Sequence, residues 1–214
     1  TILSNSIVEA NGFIQGGTIL IGNDANNGAL PFSIYTSIDP RTTISTQATD
    51  LTGKGGFIET SGHTVNLLAS INAGRGGMWL LDPMDIWIQD SLATSISSAL
   101  ATSNVSIVTG NASNSCNVSG CPVYNEVNNS GSIFLQSTIT KSSGDATTLT
   151  LKAWAALILD GNYSASATTY TINGSSGHPL NLVLWTNVGY SGGGVRYGNI
   201  KTFGGNVWIG GGVA

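Results

Sequence analysis

The sequence predicts an all-β chain that stacks as a β-solenoid, and three observations lead there. The first is a recurring unit in which a glycine pair runs straight into apolar residues: Gly55-Gly56-Phe57-Ile58 and Gly76-Gly77-Met78-Trp79, with Gly56 and Gly77 separated by 21 positions. A fixed offset of that size is the signature of stacked repeats. The second is a succession of short apolar alternations bounded by Gly or Asn, with a single helical candidate. The third is the scarcity of hairpin turns. Asn11-Gly12, Asp160-Gly161 and Asn173-Gly174 are the clearest, too few for a sandwich of antiparallel neighbours.

From the amino terminus, Ile7-Val8, Phe13-Ile14 and Thr18 to Ile21 read as strands, the last opened by Gly16-Gly17. A polar Asn/Gly loop follows. Phe32 to Tyr35 and Thr42 to Thr46 then give two more strands, joined by the turn Asp39-Pro40-Arg41. Between the two glycine pairs, Val65 to Ile71 reads as one strand. Asp90 to Ser103 is the helical candidate, with Asp90 or Ser91 as cap and Leu92, Ile96, Ala99 and Leu100 at helical spacing. It is expected to flank the sheet without building the core. Strand resumes at Val105 to Val108. Residues 110–130 form an irregular loop rich in Asn and Ser, long enough to suggest function.

The remainder is strand after strand: Ser132 to Gln136, Thr148 to Trp154, Leu157 to Leu159, Thr169 to Ile172, Leu180 to Trp185, Val195 to Tyr197 and Val207 to Ile209. At about 20–25 residues per coil, residues 1–214 make one solenoid of about nine coils, roughly 40–45 Å long.

Composition narrows the function classes. Only 8% of the 214 residues are charged and the net charge is −4, with seven basic residues scattered singly. No basic patch exists to neutralise phosphates, so no nucleic-acid partner is expected. No apolar run reaches the roughly 18–20 residues of a membrane helix, and no membrane insertion is expected. Thr1-Ile2-Leu3-Ser4 has no basic signal-peptide start, so an exported form is expected to be a processed or excised piece. Cys116 and Cys121 lie five positions apart, and His63 and His178 are too distant to complete a zinc set. A local disulfide in an oxidising compartment is expected, with no metal and no cofactor.

The stretch "GGFIETSG" at Gly55–Gly62, followed by "GGMWLLDPMDIWI" at Gly76–Ile88, resembles the filamentous-haemagglutinin-like large exoproteins of Gram-negative bacteria. Gly16-Gly17-Thr18-Ile19-Leu20-Ile21-Gly22 is similar to the segment that precedes that motif, and "TLTLKA" and "LNLVLW" extend the likeness over most of the chain. The resemblance implies a right-handed parallel β-helix and export by the two-partner secretion route. An outer-membrane secretion partner for the parent chain and a role in adhesion follow from it. The amino-terminal secretion domain of that family, with its Asn-Pro-Asn motifs, has no counterpart in this sequence. The chain is thus expected to be a fragment or a matured product.

Some right-handed β-helices are polysaccharide lyases or hydrolases, and such chemistry needs clustered carboxylates. Asp82, Asp85 and Asp90 are the only acids close in sequence, and Asp82-Pro83 reads as a strand-ending turn while Asp90 reads as a helix cap. His63 and His178 read as exposed loop residues. No catalytic residue is therefore expected. The tryptophans say more. Alternation along each strand puts Trp87, Trp154, Trp185 and Trp208 on the face opposite the interior residues. Outward aromatic residues mark binding surfaces unless a loop or the helix covers them. The expected function is non-enzymatic adhesion, at the cell surface or in the medium, to a host or neighbouring-cell glycan or protein. A self-assembling extracellular filament, stacked through the solenoid ends and these tryptophans, is the alternative. A polysaccharide-acting enzyme comes third. Six Asn-x-Ser/Thr sequons, at Asn104, Asn111, Asn117, Asn128, Asn162 and Asn173, are what so Asn- and Ser-rich a chain contains by chance.

Overall fold

The structure, a computed structural model, describes residues 1–23, 32–110, 131–160, 169–186, 194–196 and 198–212. Cys116, Cys121 and nearly all of the 110–130 loop lie outside these residues, as do four of the six sequons. Among the described residues are twenty β-strands and one α-helix, and every pairing between strands is parallel.

The elements follow one another in threes. The first rung is β1 (Ile2–Leu3), β2 (Ile7–Glu9) and β3 (Thr18–Ile21); the second is β4 (Tyr35–Ile38), β5 (Thr43–Ser45) and β6 (Phe57–Gly62). The third is β7 (Thr64–Leu67), β8 (Ser70–Asn72) and β9 (Met78–Pro83). In the fourth, β10 (Ile86–Ile88) and β11 (Asn104–Val108) flank a helix, α1 (Asp90–Ala99), which stands where the middle strand would be. The fifth is β12 (Ile133–Leu135), β13 (Ile139–Thr140) and β14 (Thr147–Lys152). The sixth is β15 (Leu157–Ile158), β16 (Thr171–Asn173) and β17 (Leu180–Thr186), and the seventh β18 (Val195–Arg196), β19 (Asn199–Lys201) and β20 (Val207–Gly211).

The third strand of every rung joins a single seven-stranded sheet, ordered β3-β6-β9-β11-β14-β17-β20. First strands form the sheets β1-β4-β7 and β10-β12-β15-β18; middle strands form β2-β5-β8 and β13-β16-β19.

Register explains why this sequence stacks. In the seven-stranded sheet, Ile19, Ile58, Trp79, Val105, Leu149, Leu182 and Val207 lie in one column. Two residues further on, Ile21, Thr60, Leu81, Ile107, Leu151, Leu184 and Ile209 lie in a second. Both columns face inward, and from the second to the sixth rung their members are essentially inaccessible. Each Ile or Leu so buried contributes about 1.5–3 kcal/mol relative to exposure, so the interior columns are the main source of cohesion. Thr60 interrupts the apolar column because Trp79 needs it: the indole Nε1 donates a 2.9 Å hydrogen bond to Thr60 Oγ1. A buried indole N–H without a partner would cost about 1–3 kcal/mol.

The glycine pairs mark where the chain enters the seven-stranded sheet. Phe57 N–H donates to the Gly17 carbonyl and Met78 N–H to the Gly56 carbonyl, so successive pairs lie on top of one another. A Cβ on Gly56 would collide with the Gly17 carbonyl oxygen, and one on Gly77 with the Ala73 carbonyl. Close approach of backbones, more than unusual dihedrals, demands glycine here.

The helix is part of the core, which corrects the expectation that it only flanks the sheet. It packs between β8 and β13, and Leu92, Ala93, Ile96, Ala99 and Leu100 belong to the buried cluster. A helix stacked between strands cannot continue their hydrogen-bond ladders, and its serines offset the loss. Ser95 Oγ donates to the Ala69 carbonyl (2.8 Å), and Ser97 Oγ accepts from the Thr140 N–H (3.0 Å). That gives the Ser-rich composition a physical reason. The expected caps are also corrected. Gln89 is the N-cap and makes no side-chain capping bond, while Asp90 sits in the first turn, where its negative charge faces the positive end of the helix dipole. At the other end, buried Lys141 Nζ donates to the carbonyls of Leu100 and Ser143, both at 2.7 Å, and Thr147 Oγ1 donates to Leu100 as well.

Other expectations change. Phe13 and Ile14 form no strand. They sit in a bend between two isolated bridges, both largely exposed (71% and 69%). The second rung opens at Tyr35, not Phe32, and the stretch 65–71 is two strands with a corner at Leu68-Ala69. There are seven rungs among the described residues, where about nine coils were expected. The 21-residue step holds only from Phe57 to Met78, whereas other steps are longer, such as 26 residues from Met78 to Asn104 and 44 from Val105 to Leu149. No helix among the described residues is long and apolar enough to cross a membrane.

Candidate functional site

Strand alternation places all four expected tryptophans on outward faces, in different surroundings. Trp87 lies on β10, half-buried, with its ring stacked on Phe134 of β12 at 4.4 Å and 13°. Trp154, just beyond β14, is half-buried beside Gly131, whose lack of a side chain makes room for it. Trp185 and Trp208 come together on the outer face of the seven-stranded sheet. Their rings meet edge to face with centroids 5.6 Å apart and an interplanar angle of 61°.

Register builds this pair. Val183 lies opposite Trp208, and Trp185 lies opposite Gly210, so the Trp208 ring has the space over a glycine in which to lean toward Trp185. On the other side of Trp185, Lys152 occupies the facing position on β14, with Nζ 4.6 Å from the ring centroid. Trp185 Nε1 donates to the Gly212 carbonyl at 2.9 Å. These contacts fix Trp185 as a support. Trp208, 48% exposed, is the open ring of the cluster. The result is an aromatic surface with an ammonium group beside it, held on a sheet whose backbone is fully paired on the β17 side. Alternation alone identifies both rings as outward; their adjacency follows from a 25-residue step that only the register reveals.

A second, polar feature escapes the sequence pattern. Glu59 and Ser61 of β6 and Asp82 of β9 all have outward parity on the same sheet, with Asp82 directly opposite Ser61. Glu59 is fully buried and accepts a 2.9 Å hydrogen bond from Ser61 Oγ. Burial raises the Asp82 carboxyl to about 6, and the neighbouring Glu59 charge adds to the effect; a hydrogen bond from the Asn23 side chain opposes it. The signal for this cluster lies in the motifs "IETS" and "LLDP" themselves, each of which carries an acid within an otherwise apolar or hydroxylic strand. Asp82 is inside β9 and does not close a turn in isolation. Asp85 accepts a 2.7 Å hydrogen bond from the Ser132 N–H and so ties the fourth rung to the fifth. The three aspartates thus have separate surroundings.

The histidines are not exposed loop residues. His63 is half-buried and meets Phe32 edge to face at 5.2 Å, and His178 Nδ1 lies 3.0 Å from the Gly144 carbonyl, which it reaches as a donor when protonated there. Among the described residues no three His, Cys, Asp or Glu side chains gather as a metal site. A groove between α1 and β13 is lined by hydroxyls, including Thr94, Ser97, Ser98 and Thr140, with no titratable group.

No family model, curated protein or solved structure matches this chain.

Proposed function

We propose that the chain is a segment of a secreted or cell-surface adhesin, acting without catalysis, that binds a glycan on a host or neighbouring cell through Trp208 and its support Trp185. In this reading the rungs wind as a right-handed parallel β-helix. Two things support the winding: the repeated three-element order with parallel pairing at every step, and the strong right-handed preference of parallel crossovers. The likeness of Gly55–Gly62 and Gly76–Ile88 to filamentous-haemagglutinin-like exoproteins supports the adhesive role and export with an outer-membrane partner.

The observation that carries the proposal is the open Trp208 ring, half exposed on a sheet that has no need of it for its interior. Exposing a large apolar ring has a cost in water that a ligand would recover. A flat ring with an N–H at one edge suits the apolar face and hydroxyl rim of a sugar. Lys152 and Thr150, on neighbouring outward positions of β14, offer a cation and a hydroxyl at the same surface. The test is binding of the purified chain to a panel of immobilised glycans and to intact cells. Trp208→Ala should abolish binding, and Trp87→Ala, on a different sheet, should leave it unchanged. A catalytic reading would instead require turnover of a bound polysaccharide, which the same panel detects as loss of ligand.

A further inference from the structure

The outer face of the seven-stranded sheet carries a polar path between two features that stand apart in the sequence. At one end is the Trp185–Trp208 pair. At the other is a notch of about 480 Å³, within the size range of small-ligand sites, where the turns of the third, fourth and fifth rungs meet beyond α1. Thr102 and Asn104 line it. Arg75 of the third rung and Asp145 of the fifth supply its charges, with Nε and Oδ2 3.5 Å apart. Both side chains are largely exposed, and such an ion pair is weak enough to open to a ligand.

Register lays out the path. Trp208, Val183, Thr150 and Ser106 lie in one outward column across β20, β17, β14 and β11. Two residues earlier on the same face, Asn181 lies opposite Thr148, and Asn104 of the notch follows on β11. The two asparagines are held by their side-chain carbonyls: Asn104 Oδ1 accepts from the Thr148 N–H (2.8 Å) and Asn181 Oδ1 from the Asn206 N–H (2.9 Å). Their Nδ2 groups, and the hydroxyls of Ser106, Thr148 and Thr150, bond to nothing among the described residues. None of these atoms is a buried orphan, so each is open to a partner from outside.

The chemistry of the path narrows what fits it. Its polar groups recur at the strand spacing, about 4.7–4.9 Å, which suits a ligand that itself repeats at that interval. Charges stand only at its ends, in Lys152 packed on Trp185 and in the Arg75–Asp145 pair. An acidic polymer would need cations along its length. A protein partner would need an apolar centre, and between the two ends only Val108 and Val183 are apolar.

We infer that the ligand of this face is an uncharged, extended β-linked glycan chain lying across the strands, stacked on Trp208 at one end and entering the notch beside Asp145 at the other. The inference rests on the glycan reading of Trp208 and adds the ligand's length, charge and direction. From β20 to β11 is three strand spacings, about 14–15 Å, so the chain spans about four sugars.

Calorimetric titration with cellulose and chitin oligosaccharides, from disaccharide to hexasaccharide, is the test, with polygalacturonate as the charged chain. In at least one neutral series affinity should rise by about tenfold or more from disaccharide to tetrasaccharide and then level off. Thr148→Val and Thr150→Val keep a β-branched side chain and remove an unpartnered hydroxyl, so the melting temperature should not change. Each should lower tetrasaccharide affinity by about two- to tenfold and leave that of the disaccharide unaltered, and Asp145→Ala should do the same at the far end. Binding that needs Trp208 but ignores chain length overturns the inference and leaves the glycan reading in place. Tighter binding of polygalacturonate, or binding of neither neutral series, overturns it as well. The Trp208→Ala comparison on the wider glycan panel then decides the reading on which it rests.

Discussion

Lys152 holds its ammonium 4.6 Å from the centre of the Trp185 ring, on the face of the sheet that points away from the core. The contact accounts for a lysine at the end of an otherwise apolar and hydroxylic strand, and it orients the ring on which Trp208 leans. Lys152→Ala should therefore loosen Trp185 with little effect on stability, about 0.5–1 kcal/mol for an exposed cation–π contact. Near-ultraviolet circular dichroism should lose tryptophan intensity while the melting temperature stays within a few degrees. A large fall in melting temperature would show instead that Lys152 supports the fold.

The Lys141 ammonium plays a different part. It is buried and donates to Leu100 and Ser143, satisfying carbonyls at the end of α1. Lys141→Met keeps the volume and removes the donors. Hydrogen bonds from charged groups contribute about 1.5–3 kcal/mol each, so the variant should lose about 3 kcal/mol, read from chemical denaturation. Thr147→Val, which removes the neutral donor to Leu100, should cost about 1 kcal/mol.

The seven-stranded sheet separates two reasons for glycine. Gly56→Ala forces a Cβ into the Gly17 carbonyl and should destabilise by about 3 kcal/mol or more, since two rungs must part. Gly204 has φ +95°, and a Cβ there would meet nothing within 4 Å. Gly204→Ala should therefore cost only the conformational penalty of about 1–2 kcal/mol. Equal losses for the two would mean that backbone conformation, not rung contact, sets the glycine requirement.

Stability should also depend on pH in an unusual direction. The Asp82 carboxyl is raised from 3.8 to about 6 by burial and by Glu59. Below pH 3.8 it is protonated whether folded or unfolded. As pH rises through about 6 the folded protein must ionise a buried group, and the stability present at low pH is lost. The loss approaches about 3 kcal/mol at 1.36 kcal/mol for each pKa unit. Asp39 and Asp50, half-buried and lowered by hydrogen bonds from Arg41 and Thr52, contribute with the opposite sign, and only below about pH 3.8. Denaturation between about pH 4 and 7 should thus show stability falling with pH in the native chain and a flatter profile in Asp82→Asn.

The strands were legible because alternation is a local property. Leu149-Thr150-Leu151-Lys152 and Leu180 to Trp185 state their inward and outward faces residue by residue, and the structure keeps both. The rung count was not, because a period requires equal steps and these range, within the seven-stranded sheet, from 21 residues to 44. The role of α1 was hidden for a related reason. Helical spacing shows which face is apolar, but not that Ser95 and Ser97 on the same helix patch the edges of β8 and β13. Glu59 and Asp82 escape notice because acids in a strand pattern read as solvent-facing, and only packing from another part of the chain reveals one buried. Pairing of Trp185 with Trp208 depends on a step of 25 residues between β17 and β20, which no local pattern specifies.

The adhesive reading stands or falls on Trp208 as a ligand platform on a preformed sheet. The decisive measurement is calorimetric titration of the first glycan found to bind, against the native chain and against Trp208→Ala. An aromatic ring at the centre of a binding surface is worth about 2 kcal/mol or more, so affinity should fall by about 30-fold or beyond measurement, with the melting temperature unchanged. Equal affinity in the two proteins would refute that role and place any binding away from this sheet.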